Sequence, residues 1–208
     1  MARTGSTADA VVIILAAGLG RRMGGVSKKD LAWEDGSTLL DYAVRLINEA
    51  GMASLAVIHD PQPGTGMVFN PHPEHGLSSS LQVGLDAVRE RFGPVPVGVL
   101  LVDQPFVTVS DLRKVYDHFQ DRSDVIHAIR PRYDGIPGHP VFFDAGWDDV
   151  VWKLDGDQGL GGALLSRPDV AWIDLAVSFR PNPSFDVDTL NRYEEALVLL
   201  KGEKINGS

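Results

Sequence analysis

Two apolar segments of this chain lack the polar and apolar alternation of a half-exposed strand. They are AVVIILA at residues 10–16 and PVGVLLV at residues 96–102. Short apolar runs rich in β-branched residues are typical of strands that are buried on both faces. Because such strands occur mainly in sheets covered by helices on both sides, the two segments predict a parallel sheet within an α/β protein.

Helix-like and strand-like segments alternate along the rest of the chain. Residues 37–51 carry an apolar stripe at helical spacing, and Thr108 with Asp111 has the spacing of a capping box. Helices are predicted at residues 37–51, 77–93, 108–119, 145–154, 159–166 and 189–200. Further strands are predicted at residues 54–59, 124–129 and 170–177, with a hairpin over residues 131–143. This order predicts an α/β fold around a mostly parallel sheet.

The size and composition fit one globular domain. The chain has 208 residues, of which 44% are hydrophobic and 23% are charged. We expect a single domain over residues 9–201, with disordered tails at residues 1–8 and 202–208. No apolar run is long enough to span a bilayer, and the polar N-terminus has no signal-peptide core. We therefore expect a cytoplasmic enzyme without membrane contact.

Charge and cysteine content exclude several other functions. The formal net charge is −9, which argues against a nucleic-acid partner because such proteins present a basic face. The chain has no cysteine, so a disulfide framework, a thiolate metal site and a cysteine nucleophile are excluded.

The loop after the first apolar segment has the composition of a phosphate-binding turn. Its sequence, LAAGLGRRMGGVSKKD, spans residues 15–30. Small residues at 16–18 allow backbone N–H groups to approach anionic oxygens, and Arg21 and Arg22 add positive charge. A dinucleotide fingerprint would need glycine where Met23 stands, and the Gly-Lys-Ser/Thr of a Walker motif is missing. A tight turn with solvated arginines is the structural alternative.

Carboxylates follow the second buried segment and recur near the C-terminus. Asp103 stands directly after residues 96–102, where an unpaired buried charge would be costly. Mg²⁺ binds carboxylate and phosphate oxygens together, so it is the natural partner beside a phosphate loop. Asp186 and Asp188 lie in FDVDT, and either could join Asp103 on the metal. Alternatively, Asp103 caps its own loop and Asp188 belongs to a helix cap.

The segment NPHPEHGLSSS, residues 70–80, opens a predicted helix with small and hydroxyl residues. Free N–H groups and hydroxyls at a helix N-terminus can hold a base edge, a ribose or a phosphate, although ordinary capping is the alternative. The candidate ligand-binding residues here are Gly76, Ser78 and Ser79. We interpret His72 and His75 as loop histidines, since no carboxylate or cysteine was identified at ligand spacing.

A later segment, DGIPGHPVFF at residues 134–143, has the character of a rim that closes on a second ligand. Its candidate residues are Gly135, Gly138, His139 and Pro140. The segment GDQGLGGALL at residues 156–165 is glycine-rich and again places small residues at the start of a helix.

Taken in order, six motifs resemble the molybdenum-cofactor nucleotidyltransferases, which belong to the glycosyltransferase-A-like nucleotidyltransferases. The motifs are LAAGLGRRMGG…K (15–29), NPHPEHGLSSSLQVGL (70–85), LLVDQPFV (100–107), GIPGHPVFF (135–143), GDQGLGGALL (156–165) and FDVDT (185–189). The resemblance implies a Rossmann-like, three-layer α/β/α sandwich with a mostly parallel sheet. Ala17, where the guanylyl branch has glycine, makes the chain most similar to the cytidylyl branch.

The resemblance implies transfer of CMP from CTP to a phosphorylated pterin, with Mg²⁺ (or Mn²⁺) and release of pyrophosphate. The implied nucleotide-binding residues are Leu15, Ala16, Ala17, Gly18, Gly20, Arg21, Gly76, Ser78 and Ser79. The implied catalytic residues are Arg22, Lys28 or Lys29, and Asp103, and the metal residues are Asp103, Asp186 and Asp188. Residues 135–140 would face the acceptor. Spacing from Gly36 and the following Leu31 favour Lys29, whereas spacing from Gly24 favours Lys28. We favour Lys29 and keep both lysines as candidates.

The chain also departs from the family pattern. DQP replaces the usual Asp-Met-Pro at residues 103–105, and only residues 60–69 separate the second strand from the Asn-Pro motif. A guanylyltransferase that uses GTP, and a sugar-phosphate or polyol-phosphate nucleotidyltransferase, are the alternatives within this group. A non-catalytic chaperone that hands a pterin to a molybdoenzyme partner, and a Rossmann oxidoreductase, are alternatives of other classes.

Overall fold

The computed structural model describes residues 8–60, 66–178 and 180–206. Its strands are β1 (Val11–Leu15), β2 (Ala53–Ile58), β3 (Met67–Phe69), β4 (Val97–Leu101), β5 (Ala128–Tyr133), β6 (Ile136–Pro137), β7 (Val141–Phe143) and β8 (Val170–Leu175). Its α-helices are α1 (Leu39–Glu49), α2 (Gly76–Phe92), α3 (Val109–Gln120), α4 (Asp148–Trp152), α5 (Leu160–Ser166) and α6 (Leu190–Asn206). Within these ranges, no helix combines the length and apolar character that crossing a membrane requires.

In the described part of the chain, the strands form one sheet in the order β3-β2-β1-β4-β7-β5-β6, and β8 pairs with β5 outside this path. Parallel pairing joins β1 to β2 and β4, β2 to β3, and β5 to β8. Strand β7 lies antiparallel between β4 and β5, and β6 folds back on β5. The predicted mostly parallel sheet is therefore confirmed, with an antiparallel insertion beside its centre.

Strand β1 is fully buried on both faces, as its uninterrupted apolar sequence predicts. Val12 and Ile14 pack into a core layer that includes residues of α1 and α3, and Ile13 packs into the opposite layer with residues of α2. Each such buried aliphatic side chain contributes about 1.5–3 kcal/mol relative to an exposed one. Helices on both faces of one sheet give the predicted three-layer α/β/α sandwich.

Close packing of α2 on the sheet requires a glycine. A Cβ at Gly84 would lie 2.8 Å from the Cγ2 of Ile13 and 3.0 Å from the Cγ2 of Val57. Gly84 therefore lets the α2 backbone approach β1 and β2, which fixes the position of the α2 N-terminus above the sheet edge.

Helices α1 and α3 begin at complete capping boxes. Thr108 accepts a hydrogen bond from the Asp111 backbone N–H, and the Asp111 carboxylate accepts one from the Thr108 backbone N–H. This pair confirms the capping box expected from its spacing, and Thr38 with Asp41 forms a second one. Each pair satisfies two backbone donors that the first turn of a helix leaves without a helical partner.

Two elements differ from the sequence prediction by four residues or more at one end or at both. The strand predicted at 124–129 instead runs from Ala128 to Tyr133, because residues before it turn outward and leave Val125 exposed. Helix α6 continues to Asn206, so the disordered tail predicted at residues 202–208 begins too early. Apart from residue 8, the predicted N-terminal tail lies outside the described residues.

The register of the sheet brings two loops to the same place. Leu15 pairs with Val57 on one side and with Leu101 on the other. The loops that leave β1 and β4 therefore start side by side at the carboxyl edge of the sheet, where ligands of open α/β sheets bind.

Candidate active site

A cavity of about 490 Å³ opens at this carboxyl edge. It is bounded by the loop after β1, the loop after β4, the start of α2 and the segment before α6. The lining residues from the first of these loops are Leu15, Ala16, Ala17, Gly18, Leu19, Gly20, Arg21, Arg22, Met23 and Lys28. The cavity is also lined by Pro73, Glu74, Gly76, Leu77, Ser80, Leu101, Val102, Asp103, Asp157 and Asp188.

The loop after β1 is shaped by Gly20. Its φ is 61°, and a Cβ there would lie 2.0 Å from the carbonyl oxygen of Val26. The Gly20 carbonyl accepts hydrogen bonds from the N–H groups of Met23 and Gly25. A Cβ at Gly18, in contrast, would meet no atom within 4 Å, so this part of the loop presents bare backbone. The structure therefore brings the predicted phosphate-binding residues together around one cavity.

Lys28 lies at the centre of a carboxylate cluster. Its Nζ donates to Asp103 Oδ2 and to Asp188 Oδ1, each at 2.6 Å. Burial by itself lowers the pKa of the Lys28 ammonium, but the two carboxylates raise that pKa above its usual value. The hydrogen bond from Lys28 to Asp188 in turn lowers the pKa of the Asp188 carboxyl. The more exposed Arg22 lies 3.7 Å from Asp188 and extends the positive charge along the cavity.

Lys29 has a different environment. Its side chain is fully buried, and its Nζ donates to both carboxylate oxygens of Asp30 at 2.7 and 2.8 Å. A second carboxylate, that of Asp60, lies 3.3 Å from the same ammonium. Lys28 lines the cavity, and Lys29 does not. The geometry thus favours Lys28 as the phosphate lysine, in contrast to the preference for Lys29 drawn from the spacing to Gly36.

A hydrogen-bonded chain connects the loop of residues 135–140 with the segment that carries Asp186 and Asp188. Gln104 Nε2 donates to Asp186 Oδ1 at 2.8 Å, and Gln104 Oε1 lies 3.0 Å from His139 Nδ1. Burial, supported by the nearby positive charge of Arg130, lowers the pKa of His139 to about 3, so its ring is neutral. Since the Asp186 carboxylate takes the amide N–H of Gln104, the amide oxygen faces His139, and Nδ1 carries the ring proton.

The carboxylates fit a divalent cation that prefers oxygen ligands. Asp103 and Asp188 already converge on one positive group, the Lys28 ammonium, from two separate loops. Carboxylates beside a phosphate-binding loop are a usual way to hold Mg²⁺ together with substrate phosphates. Asp186 fits less well, because it does not line the cavity and burial raises its pKa. The arrangement favours Asp103 and Asp188 as the ligands.

Two serines predicted to contact the nucleotide are engaged within the protein. Ser78 Oγ donates to the Gly156 carbonyl at 2.8 Å, which ties α2 to the neighbouring loop. Ser79 Oγ accepts from Asn70 Nδ2 and lies within hydrogen-bond distance of the Gly76 carbonyl. Neither serine lines the cavity, whereas Gly76 does. These contacts give Ser78 and Ser79 structural roles, although neither serine caps α2, whose N-terminus has no side-chain capping bond.

Sequence reasoning missed several residues of the cavity wall. Ser80, the third serine of the run, lines the cavity in place of its two neighbours. Asp157 lines it from the glycine-rich loop before α5, a segment that was noted without an assigned residue. The period of α2 could have identified Ser80, because it stands four residues after Gly76 and therefore on the same side of the helix.

The predicted acceptor residues Gly135, Gly138, His139 and Pro140 lie next to this cavity but do not line it. They are connected to it through the Gln104 side chain. The Gly138 carbonyl accepts from Arg130 Nε at 3.1 Å, and the His139 carbonyl accepts from the Tyr133 hydroxyl at 2.8 Å. The loop is therefore held from β5 beneath it.

Comparisons with known proteins identify a family whose sequence pattern this chain shares. A model of the MobA-like NTP transferase domain matches residues 12–170. The molybdenum cofactor cytidylyltransferase of Escherichia coli (strain K12) is 32% identical over 138 residues, which cover 62% of this chain and 67% of that protein.

Three solved structures of two proteins show the same fold. Rv0371c from Mycobacterium tuberculosis H37Rv superposes with a TM-score of 0.74 and 24% identity, over 92% of this chain and 99% of that one. A nucleotidyl transferase from Methanothermobacter thermautotroptrophicus gives a TM-score of 0.71 and 20% identity, over 92% and 96% of the two chains. A manganese complex of Rv0371c gives a TM-score of 0.69 and 23% identity, over 89% and 96%.

Proposed function

This chain belongs to the MobA-like NTP transferase family and is a nucleotidyltransferase, and we propose that it transfers CMP from CTP to the phosphate of a molybdopterin-type cofactor. The relative in Escherichia coli that is 32% identical is a molybdenum cofactor cytidylyltransferase, which supports the choice of CTP and a pterin acceptor. The observation that carries the proposal is Lys28, held between Asp103 and Asp188 beneath a backbone loop suited to phosphates.

In the proposed reaction, a phosphate oxygen of the acceptor attacks the α-phosphorus of CTP. A new oxygen–phosphorus bond forms, the bond between the α-phosphorus and the bridging oxygen breaks, and pyrophosphate leaves with the bonding electrons. The attacking phosphate is already ionised at neutral pH, so no general base is required. Since two anions must meet, the protein contributes positive charge and positioning.

A divalent ion, Mg²⁺ with Mn²⁺ as the alternative, would be held by Asp103 and Asp188. Such an ion neutralises charge shared between the reacting phosphates. The ammonium of Lys28 and the guanidinium of Arg22 bind the β- and γ-phosphates in this proposal and stabilise the departing pyrophosphate. Their separation from the carboxylates is small enough that both tasks belong to one site.

The nucleotide lies along the loop after β1. Bare backbone at Gly18 lets the triphosphate approach, and the turn at Gly20 directs the following arginines toward it. The base and ribose lie toward the start of α2, where Gly76 and Ser80 line the cavity. A Cβ at Gly76 would lie 2.4 Å from the Gly156 carbonyl, so the two loops that enclose this end are in close contact.

The acceptor lies on the side of His139. We assign residues 135–140 to the acceptor because His139 is linked through Gln104 to Asp186, which lies two residues before Asp188. We further propose a cytoplasmic location and a transient molybdoenzyme partner that receives the product.

A panel of nucleoside triphosphates and acceptors tests the substrate assignment. Pyrophosphate release is measured with Mg²⁺, each of CTP, GTP, ATP and UTP, and either molybdopterin or a sugar phosphate. We expect turnover with CTP and the pterin. Turnover with GTP alone would indicate a guanylyltransferase, turnover with a sugar phosphate alone would change the acceptor, and binding without turnover would indicate a carrier of the cofactor.

A further inference from the structure

A cluster outside the catalytic carboxylates brings together three metal-ligating side chains, His72, Glu74 and His75. One ligand atom from each lies within 4.8 Å of the other two. His72 Nδ1 is 3.2 Å from Glu74 Oε1, and His75 Nε2 is 3.8 Å from the same oxygen. The interpretation of the two histidines as ordinary loop residues overlooked the carboxylate that stands between them.

The separation of 3.2 Å matches that of a tetrahedral metal site, and the wider separations lie within reach of it. With bonds of about 2.0–2.1 Å to nitrogen and oxygen, neighbouring ligand atoms of a tetrahedral ion lie about 3.3 Å apart. The three side chains are at least half exposed, so rotations of their terminal bonds can bring them into this geometry without disturbing the core. The two imidazole rings are stacked with centroids 5.1 Å apart, which shows that they already occupy the same small region.

The backbone that carries the cluster is fixed from beneath by Asn70, whose side chain is almost fully buried. Asn70 Oδ1 accepts from the His72 backbone N–H at 2.9 Å, and Asn70 Nδ2 donates to the hydroxyls of Ser79 and Ser80. The His72 carbonyl accepts from the His75 backbone N–H at 3.1 Å. The turn is thus held in place, so a bound ion need not order it.

The geometry points to a second metal site, formed by His72, Glu74 and His75, that binds a transition-metal ion of the Zn²⁺ class. Two imidazoles and one carboxylate form a donor set that suits Zn²⁺, whereas Mg²⁺ prefers oxygen ligands alone. Three protein ligands leave the fourth position open to solvent. The site is at the cavity rim, since Glu74 lines the cavity. It does not depend on the proposed substrates.

Titration of the untagged protein with ZnCl₂ tests this site, followed by calorimetry and by NMR of the histidine rings. We expect one ion to shift the ring signals of His72 and His75 and to leave those of His118, an exposed histidine on α3, unchanged. MgCl₂ should not reproduce the shifts. His75→Ala and Glu74→Gln should weaken Zn²⁺ binding by at least about tenfold.

Two controls keep the result specific. His118→Ala should bind Zn²⁺ as the wild type does, and Asp103→Asn should keep the ring shifts because it removes only the catalytic carboxylate. The thermal unfolding midpoint of each variant, compared with that of the wild type, shows whether the variant is folded. The site would be overturned if the histidine ring signals did not change with Zn²⁺, or if His75→Ala and Glu74→Gln bound Zn²⁺ as the wild type does. The cluster would then be an ordinary surface contact between histidines and a carboxylate.

Discussion

The ammonium of Lys28 donates a 2.6 Å hydrogen bond to the carboxylate of Asp103, although the two residues are 75 positions apart in the chain. The contact joins the loop after β1 to the loop after β4, whose strands are parallel neighbours. It places a cation that can bind phosphates directly beside a carboxylate that can bind a metal.

Replacement of Asp103 by Asn should abolish most of the activity. The amide cannot neutralise a divalent ion, so stabilisation of the transition state is lost, and we expect a decrease in kcat of at least about 10²-fold. The measurement is Mg²⁺-dependent pyrophosphate release, with the thermal midpoint as the control for folding. Turnover near that of the wild type would remove Asp103 from the metal site.

Lys28 and Lys29 should have different roles, one in nucleotide binding and the other in stability. Lys28→Met should weaken binding of the nucleoside triphosphate by about 10-fold or more, because a charge-assisted contact is worth about 1.5–3 kcal/mol. Lys29→Met should change triphosphate affinity little and should instead lower the thermal midpoint, since its buried ammonium pairs with Asp30 and Asp60. Calorimetry and thermal unfolding measure both. The reverse pattern would restore Lys29 as the phosphate lysine.

Gln104 should act as a positioning residue. Gln104→Leu removes the group that donates to Asp186 and faces His139, and leaves both without this partner. We expect the KM of the acceptor to rise by about 10-fold while the affinity for the nucleotide changes little, as for residues that orient ligands through hydrogen bonds. Gln120→Leu on α3 is the matched control. Equal losses for both substrates would instead indicate a general loss of structure.

Replacement by alanine should have different effects at two glycines of the same loop, on stability at one and on nucleotide binding at the other. Gly20→Ala requires a positive φ and places Cβ against the Val26 carbonyl, so we expect a loss of about 1–3 kcal/mol in the free energy of unfolding. Gly18→Ala meets open space and should leave stability unchanged while it weakens nucleotide binding. Denaturant unfolding and calorimetry compare the two. Equal stability of both variants would contradict the described loop.

Much of the fold follows from local sequence pattern. The uninterrupted apolar run of β1 and the capping box of α3 predict their elements because burial and capping depend on residues close in the chain. The antiparallel insertion of β7 depends on pairing between distant segments, which periodicity does not encode. The start of β5 was placed too early for the same reason, since its pairing with β8 sets its limits.

The candidate site, too, is predicted only in part by local sequence pattern. Glycines and arginines after a buried strand identify the phosphate loop, and Asp103 identifies the carboxylate edge. Neighbouring residues such as Lys28 and Lys29 cannot be told apart by spacing, because successive side chains of the 3-10 helix Lys28–Asp30 point in directions about 120° apart. The link from His139 to Asp186 through Gln104 joins three separate segments and becomes visible only in three dimensions.

Transfer of the α-phosphate itself is the decisive measurement, because a protein that only holds the nucleotide would share the same cavity. The wild-type protein is incubated with Mg²⁺, molybdopterin and CTP that carries a radioactive α-phosphate, and the products are separated. We predict that the label moves to the pterin with one pyrophosphate released per transfer, and that Asp103→Asn prevents this. Label that stays in CTP, or that appears only as free CMP, would contradict nucleotidyl transfer to the pterin.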